Sequence, residues 1–339
     1  LSATVTYVRN DSKDVFVNVP APAVSGYQLV RTNPAYIGGN VLEVTLQGAV
    51  LTNPNGLRWD ILVTGDNQQQ FTRRFGRTCF DDGLQYKCDG IPLSEMWGNQ
   101  NVRDKSQLAA IHRNSQAQFD VNDEGWVVPV GAGNTWRDGI AKNLWGSSVT
   151  IDGTAYGWGL PIQRRDSLGQ LWYDRIGNSQ PLFRFGFQNN FRYNNFRLFV
   201  QTTGQLGGDV YANSNQTFYA SGDHPDVDQF GKPDELKKPV AYYNAVSNNN
   251  NLYLAQFVES GTHLTIAELM LGYTADAKRW PFLDKVGVSR AQIDLIGRNM
   301  RTLTNYTGLN VMAGSPTVRF DDATYPMTRT LTGVVTLTF

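Results

Sequence analysis

The C-terminal residues 328–339, TRTLTGVVTLTF, carry the pattern that decides the fold. Apolar residues alternate with threonines, and a period of two predicts a β-strand. A strand of a soluble sandwich also alternates, but here the second face is almost all threonine, which suits a wet lumen and keeps strand propensity. The terminal Phe339 fits an aromatic girdle at a membrane interface. We therefore predict that Leu331, Val335, Leu337 and Phe339 face lipid and that Thr330, Thr332 and Thr336 face a lumen.

A second segment, residues 182–193, repeats this alternation with aromatic side chains. One face carries four phenylalanines and Tyr193, interrupted by Asn189, and the other face includes Arg184 and Arg192. In a soluble sandwich the phenylalanines would form the core, whereas in a barrel they would face lipid and the arginines would line a channel. This segment alone leaves both interpretations open.

The connections between strands distinguish the two folds. Seven further strands bring the predicted total to nine: residues 1–9, 13–19, 41–50, 57–66, 196–205, 262–273 and 288–299. Short connections at 10–12, 51–56 and 194–195, with a medium one at 274–287, alternate with long ones at 20–40, 67–181, 206–261 and 300–327. Outer-membrane barrels have short periplasmic turns and long outside loops, whereas sandwich connections have no reason to sort this way. The sequence therefore predicts an all-β fold: a transmembrane antiparallel β-barrel with long extracellular loops.

The number of predicted strands indicates a partial barrel. If the last of nine strands ends in the periplasm, the first begins outside the cell. Bacterial barrels have an even number of strands with both ends in the periplasm. We therefore expect the chain to be the C-terminal section of a larger barrel, lacking an odd number of strands.

Composition excludes several classes of protein. The 30 basic and 30 acidic residues balance, so no net charge recruits nucleic acid. Aromatic residues make up 12% of the chain, which disfavours a disordered protein. No apolar window is long enough for a transmembrane helix, and we expect no signal peptide within residues 1–339. The chain opens at Leu1 within a predicted strand, and we expect it to be part of a longer protein.

The two cysteines, Cys79 and Cys88, flank the turn-forming pair Asp82 and Gly83. A turn there would bring the thiols together. We favour a disulfide, which implies an oxidising compartment, over two free thiols in a loop. A zinc site would need further soft ligands nearby, and the sequence offers none.

No catalytic motif is present. The three histidines lack metal-ligand spacing, and the usual nucleophile, phosphate and dinucleotide motifs are missing. Residues 226–231, DVDQFG, loosely resemble a calcium loop but lack its downstream glutamate. An ordinary polar loop is the favoured interpretation. We expect no enzyme activity, no cofactor and no metal.

Several segments together resemble one family. In order they are 173–181 (YDRIGNSQP), 185–187, 204–211 (GQLGGDVY), 257–262 (FVESGT), 271–273, Asn299 with 303–309 (LTNYTGL), 322–326 and the terminal Phe339. Their order and content resemble SusC/RagA-type TonB-dependent outer-membrane transporters, over the whole chain and most densely over 173–339. Thr265 and Ala267 stand where relatives commonly carry basic residues, and 310–312 replaces an acidic continuation. These departures affect strand and loop detail only.

The resemblance implies a 22-stranded barrel, so thirteen strands would lie outside residues 1–339, together with the plug and N-terminal domains. It implies import of oligosaccharides or peptides across the bacterial outer membrane. The implied partners are a SusD-like surface lipoprotein, outer-membrane lipid, the remainder of the same barrel, and the TonB–ExbB–ExbD complex, reached through the missing N-terminal region.

Residues 67–181 are the natural capture loop. They hold six of the chain's 8 tryptophans: Trp97, Trp126, Trp136, Trp145, Trp158 and Trp172. Indole rings stack on sugars and peptide side chains, and the alternative is that they pack the loop against itself or the lipoprotein. A surface without a basic track suits such ligands better than nucleic acid. The predicted substrate-binding residues are Trp126, Trp136, Trp145, Trp158, Arg164 and Arg165.

Two rival functions remain open at this point. One is an outer-membrane structural or adhesive barrel that transports nothing and has no plug. The other is a secreted carbohydrate-binding β-sandwich, which would be soluble without detergent. A plug domain preceding Leu1 would separate a transporter from a structural barrel.

Overall fold

The computed structural model describes residues 1–53, 56–76, 78–247, 252–315 and 317–339. Within them, eight long strands form one antiparallel sheet in which every strand pairs with its neighbours in sequence. This sheet is here called the wall. Its strands are β1 (Ser2–Pro20), β2 (Leu29–Thr52), β3 (Arg58–Arg74), β4 (Pro181–Tyr193), β5 (Phe196–Gly207), β6 (His263–Asp276), β7 (Arg290–Thr304) and β8 (Thr330–Thr338). The up-and-down order is that of a barrel wall and differs from the Greek-key order of a sandwich.

One face of the wall is apolar and exposed. The register places side chains of like character opposite one another, such as Val335 with Ile293 and Phe191 with Trp59. Leu271 in β6 is 51% exposed although that strand pairs on both sides, and Val335 in the edge strand β8 is 65% exposed. The apolar face also includes Val5, Tyr7, Leu42, Leu46, Phe187, Phe196, Leu198, Leu269, Leu295, Leu331 and Leu337.

The opposite face of the wall is polar and carries ion pairs between strands. Arg184 contacts Asp66 at 2.6 Å, and Arg197 reaches Asp294 at 2.8 Å. The second pair spans the intervening β6 at Gly272, where a Cβ would lie 2.4 Å from the Asp294 carboxylate. Glycine at this crossing therefore leaves room for the Arg197–Asp294 pair, which would have to shift to accommodate a Cβ. Thr332 and Thr336 lie on this polar face and Leu331 and Val335 on the other, in agreement with the predicted alternation of the last strand.

The predicted turn at residues 10–12 is wrong. These residues lie inside β1 and pair with Gly39, Gly38 and Ile37 of β2. The Asp11 carboxylate accepts hydrogen bonds from Arg73 at 2.9 Å and Arg9 at 3.2 Å. Cross-strand charge pairing therefore accommodates a polar triplet that locally favours a turn.

Merging the first two predicted strands changes the strand number and the parity. The wall has eight strands, so its first and last strands run in opposite directions. A 22-stranded barrel would then lack fourteen strands, an even number. The connection predicted at 20–40 is also shorter, because β2 begins at Leu29. The turn predicted at 51–56 includes residues 54 and 55, which lie outside the described residues.

The predicted alternation of short and long connections holds from β2 onward. The connections between β2 and β3, at 194–195 and at 277–289 lie at one end of the wall, and the long connections 75–180, 208–262 and 305–329 lie at the other. The connection 21–28 also lies at that end, but it was predicted to be long and is shorter than 277–289. Aromatic side chains gather at the short-turn end. Phe196 packs on Tyr273 with ring centroids 4.8 Å apart, and the Trp280 indole donates to the Tyr273 hydroxyl at 3.2 Å. Outer-membrane barrels place an aromatic girdle at such a position.

The three longest connections, 75–180, 208–262 and 305–329, fold together into what is here called the loop layer. The α-helices are α1 (Asn213–Ser221), α2 (Val240–Ser247) and, between β6 and β7, α3 (Pro281–Lys285). None of the helices in the described residues is long and apolar enough to cross a membrane. Short strands pair as Phe80–Asp82 with Gln85–Lys87, Glu95–Asn99 with Tyr173–Asn178, Phe119–Val121 with Val127–Pro129, Ser148–Ile151 with Thr154–Gly157, and Asp209–Tyr211 with Val258–Ser260. The 3₁₀ helices are Ala23–Ser25, Lys105–Gln107, Ala110–His112, Gln116–Gln118, Trp136–Asp138, Pro225–Val227, Asp234–Leu236 and Ala255–Phe257.

A shared hydrophobic core holds the loop layer together. Met96 and Trp158 from the first long connection pack with Tyr242 and Leu254 from the second, and all four are at most 2% exposed. Phe320 from the third packs against this cluster. Full burial of such a side chain contributes about 1.5–3 kcal/mol. The loop layer therefore behaves as a packed unit.

The predicted disulfide is present. Cys79 and Cys88 are bonded and flank the short hairpin formed by Phe80–Asp82 and Gln85–Lys87. The hydroxyl of Tyr173 donates to Asp81 of this hairpin at 2.8 Å. The bridge therefore closes a hairpin that is anchored to the rest of the loop layer.

Candidate functional site

The predicted tryptophans lie mainly in the interior of the loop layer. Trp126, Trp136 and Trp158 are 5%, 8% and 2% exposed. The Trp158 indole donates to the carbonyl of Val130 at 2.9 Å, and the ring of Trp145 packs edge-on against it at 5.0 Å. Most of their surface is occupied by packing.

Trp126 also lines a cavity, here called the outer-loop cleft. The cleft has a volume of about 500 Å³. The guanidinium of Arg103 lies 3.6 Å above the Trp126 ring. Other lining residues are Glu124, Asn215, Tyr219, His224, Asp226, Gln256, Glu259 and Thr307. Aromatic, cationic and carboxylate groups thus converge on one concave surface.

One side of the cleft is fixed by a buried lysine. Lys238 is 3% exposed and pairs with Asp123 at 2.6 Å and Glu124 at 3.0 Å. Glu124 also accepts from the Tyr242 hydroxyl at 2.8 Å. Burial, reinforced by the neighbouring Glu124 carboxylate, raises the pKa of Tyr242 far above its usual value. The phenol therefore stays protonated and holds the Glu124 side chain in place.

The other side of the cleft is fixed by Glu259. Its carboxylate accepts from the backbone N–H and hydroxyl of Thr307, at 2.7 and 2.6 Å, and from the Asn215 amide at 3.2 Å. These bonds join the second long connection to the third. Glu259 and Thr307 belong to segments that carry the family resemblance, namely FVESGT and LTNYTGL.

Other resemblance segments meet where the loop layer joins the wall. The Asp209 carboxylate accepts from the N–H of Asn178 at 2.8 Å, and the Ser179 hydroxyl accepts from the N–H of Arg319 at 2.9 Å. Gly261 donates to the carbonyl of Gly208 at 2.6 Å. The motifs therefore act as structural junctions. The resemblance segments were therefore the sequence signal for the Glu259 side of the cleft. The sequence analysis did not identify Arg103, Asn215 or Tyr219.

The segment that resembles a calcium loop forms an ordinary turn. Asp228 accepts from the backbone N–H of Phe230 at 2.8 Å, and Asp226 accepts from the Tyr219 hydroxyl. The Tyr219 ring stacks on His224 at 4.1 Å. Among the described residues no group of three or more acidic, histidine or cysteine side chains could hold a metal ion.

Arg164 and Arg165 lie outside the outer-loop cleft. The Arg164 guanidinium stacks on Trp172 at 3.9 Å and donates to the Gln100 amide oxygen at 3.2 Å. Arg165 donates to the carbonyl of Gly169 at 2.6 Å within the same turn. The predicted binding residues thus do not converge on one surface of the loop layer.

His112 is buried in the loop layer, and both of its ring nitrogens have polar partners. One nitrogen contacts the Asp152 carboxylate at 3.0 Å and the other contacts the Tyr156 hydroxyl at 2.8 Å. The nearby Ser115 hydroxyl donates to Asp152, so it is not bonded to the imidazole as an activated nucleophile would be. Hydrogen bonds from His112 and Ser115 lower the pKa of the Asp152 carboxyl.

Comparison with known proteins gives consistent results. No family model matches the chain. TonB-dependent receptor P39 of Formosa agariphila is 22% identical over 343 residues, covering 93% of this chain and 31% of the relative. TonB-dependent receptor P3 of the same organism is 23% identical over 175 residues, covering 46% of this chain and 16% of the relative.

Solved structures of the RagAB system share the fold. The RagAB peptide importer in its closed-closed state matches with a TM-score of 0.64 and 16% identity, over 99% of this chain and 33% of that chain. A structure of the RagAB peptide transporter gives 0.64 and 15%, with the same coverage. The resemblance to the C-terminal part of a SusC/RagA-type barrel is thereby confirmed. The chain spans about a third of the length of these relatives.

Proposed function

We propose that this chain forms the C-terminal wall and outer loops of a TonB-dependent transporter of the bacterial outer membrane, which imports oligosaccharides or peptides. The observation that carries the proposal is the division of the wall into an exposed apolar face and a polar, ion-paired face. A large exposed apolar surface marks a membrane or protein interface. In a closed barrel the apolar face would meet lipid and the polar face would line the lumen.

The relatives support transport as the activity of the complete protein. P39 and P3 are named TonB-dependent receptors, and the RagAB structures are described as a peptide importer or transporter. We propose that a plug fills the lumen, since a barrel of this width would otherwise leak. The TonB–ExbB–ExbD complex would pull on that plug from below, and a SusD-like lipoprotein would cover the loop layer.

Substrate would first meet the loop layer. The outer-loop cleft is lined by the rings of Trp126 and Tyr219 and offers Arg103 and Gln256 as hydrogen-bond donors. Its volume of about 500 Å³ lies in the ordinary range for ligand pockets. The predicted set Trp126, Trp136, Trp145, Trp158, Arg164 and Arg165 remains a proposal for substrate or lipoprotein contact, and of these residues Trp126 lines the outer-loop cleft.

The decisive experiment is uptake by the full-length protein in its outer membrane. Cells are given either a radiolabelled peptide digest or a radiolabelled oligosaccharide digest, with TonB present or deleted. We expect accumulation of one of the two pools, and we expect deletion of TonB to abolish it. Surface binding that persists without any uptake, in cells with TonB intact, would instead support the structural or adhesive barrel.

Single alanine variants in the same assay test the binding residues. We expect Trp126→Ala to reduce uptake at matched surface expression. Arg165→Ala serves as the control, because Arg165 is a predicted binding residue that lies in a turn outside the cleft. If Trp126→Ala takes up substrate as the parent does, the binding surface lies on other parts of the transporter.

A further inference from the structure

A second cavity lies where the wall passes into the loop layer, and it is here called the wall-end cavity. Its volume is about 310 Å³. Polar-face residues of β4 and β5 form one side, and the third long connection forms the other. The residues used below are Arg184, Thr203, Gln205, Gly314, Ser315 and Arg319.

One nitrogen of the Arg319 guanidinium in this lining, Nη1, lacks a hydrogen-bond acceptor. Arg319 is 6% exposed, and its Nη2 donates to the carbonyl of Val311. Its Nη1 is buried and has no hydrogen-bond partner among the described residues. An unpaired buried donor is costly, and more so on a charged group. Burial, with a smaller contribution from the nearby Arg184, lowers the pKa of Arg319 to about 10.

The charge of Arg319 is also unmatched. Arg184 is already paired with Asp66 at 2.6 Å, whereas Arg319 forms no ion pair with any residue that the structure describes. Asp321, two positions along the chain, accepts hydrogen bonds at Oδ2 from the hydroxyls of Ser214 and Tyr306 and from two backbone N–H groups, whereas its buried Oδ1 has no hydrogen-bond partner among the described residues. No carboxylate is among the described residues that line the cavity. The lining of the cavity therefore carries the positive charge of Arg319 without a carboxylate of its own.

The lining of the cavity also includes neutral polar groups and a tight turn. Thr203 and Ser315 place hydroxyl-bearing side chains in the lining. Gly314 has φ +80°, and a Cβ there would lie 2.4 Å from the carbonyl oxygen of Val318. Only glycine permits this close backbone packing, so the turn that carries Ser315 is held beside Arg319.

We propose that the wall-end cavity binds a carboxylate group of the transported molecule, with Arg319 as its principal partner. This inference rests on the proposed transport function. A guanidinium forms two parallel hydrogen bonds to a carboxylate. Nη1 is closed off from solvent in this structure, so a small movement of the Arg319 side chain would bring it to a carboxylate in the cavity and supply the acceptor that it lacks. The carboxylate belongs either to the C-terminus of a peptide or to an acidic sugar, and the volume admits one terminal residue of either kind.

Small probes that fit the cavity test this inference with the purified full-length protein. N-acetylalanine is compared with N-acetylalaninamide, and methyl glucuronoside with methyl glucoside, by ligand-observed NMR titration. We expect at least one acid to bind about tenfold or more tightly than its neutral analogue, as a charge-assisted pair predicts. The preferred pair of probes identifies the source of the carboxylate.

Two variants locate the site. Arg319→Gln should abolish the preference for the acid, whereas Arg175→Gln, an arginine paired with Glu95 outside the cavity, should keep it. Equal binding of acid and neutral probes by the parent protein overturns the proposal and needs no variant to fold. Preference retained in a folded Arg319→Gln protein also overturns it. If TonB-dependent uptake occurs but the NMR titration shows no preference for the acid, only the carboxylate site is contradicted. If the acid is preferred but no uptake occurs, only the transport function is contradicted.

Discussion

The wall and the loop layer bury opposite kinds of surface. In the wall, apolar side chains such as Val335 and Leu271 are more than half exposed, and charged residues pair on the other face. In the loop layer, Trp158 and Tyr242 are almost fully buried. The loop layer has the interior of a water-soluble protein, whereas the wall has an apolar exterior. One chain is therefore built for two solvents.

The difference explains how each region is stabilised. Strands of the wall satisfy their backbone hydrogen bonds between neighbours, which is the requirement for a sheet in lipid. The loop layer instead relies on contacts between distant segments, such as Leu254 with Met96 in one core. A substitution should therefore have different consequences in the two regions, even when the residue type is similar.

The largest expected effect is in the core of the loop layer. Trp158→Ala removes a ring that is 2% exposed and is packed by Trp145. We expect a loss of about 3–5 kcal/mol in unfolding free energy, because the cavity left behind is not refilled. Equilibrium unfolding of the full-length protein, with proteolysis of the loop layer as a second readout, measures this loss.

The matched control is Phe187→Ala on the apolar face of the wall. Phe187 is 37% exposed, and lipid chains would fill the space that its ring vacates. We expect a clearly smaller loss than for Trp158→Ala. If Phe187→Ala proves the more damaging change, the apolar face is a packed protein interface and the two-solvent comparison fails.

A charge placed on the apolar face should be the next largest effect. Val335→Arg should cost about 2–4 kcal/mol if the position lies near the middle of the membrane. Thr332→Arg, on the polar face of the same strand, should cost much less. Folding of both variants into lipid vesicles gives the two free energies. Equal costs would contradict the assignment of the two faces.

The sequence predicted the wall well because each face of a strand has a single environment. Alternation in 182–193 and 328–339 therefore identified the two faces of each strand, although 182–193 alone did not distinguish a barrel from a sandwich. Even Asn189, the exception on the apolar face, accepts a hydrogen bond from the Trp59 indole at 3.2 Å. The turn at 10–12 was predicted wrongly because its partner Arg73 is distant in sequence. Local turn preference cannot report a cross-strand ion pair.

The third prediction concerns the disulfide of the loop layer. Replacing Cys79 and Cys88 together with serine should reduce stability by about 2–3 kcal/mol, because the bridge closes a short loop. The loss should be confined to the loop layer. Hydrogen exchange should therefore increase around Phe80–Asp82 and Gln85–Lys87, with the wall strands unchanged. Increased exchange throughout β3 and β4 would show that the two regions are more strongly coupled than the comparison assumes.

The candidate site was less accessible to sequence reasoning than the wall. Concentration of tryptophans in one loop predicted substrate or lipoprotein contact, with packing of the loop as the alternative. The positions of these tryptophans in a core depend on Tyr242 and Leu254, which belong to another connection. The cleft combines Arg103, Asn215 and Thr307 from three connections. No spacing within one segment encodes that convergence, although the resemblance segments did contain Glu259 and Thr307.

The smallest expected effect is on the polar face of the wall. Arg298 contacts Glu268 at 2.9 Å, and its side chain is 60% exposed. Exposed ion pairs contribute about 0–1 kcal/mol, so Arg298→Gln should change the unfolding free energy by less than about 1 kcal/mol. In contrast, Lys238 in the loop layer has a side chain that is only 3% exposed and pairs with Asp123 and Glu124. Lys238→Gln removes the positive charge between these two carboxylates, and its cost in unfolding free energy should be several times larger.

Salt sharpens this last comparison. Screening weakens exposed pairs much more than buried ones, so the small effect of Arg298→Gln should vanish in about 1 M salt while that of Lys238→Gln persists. Unfolding titrations of both variants at low and high salt provide the measurement. A large, salt-resistant loss for Arg298→Gln would mean that the polar face is dry, and a water-filled lumen along this wall would then be excluded.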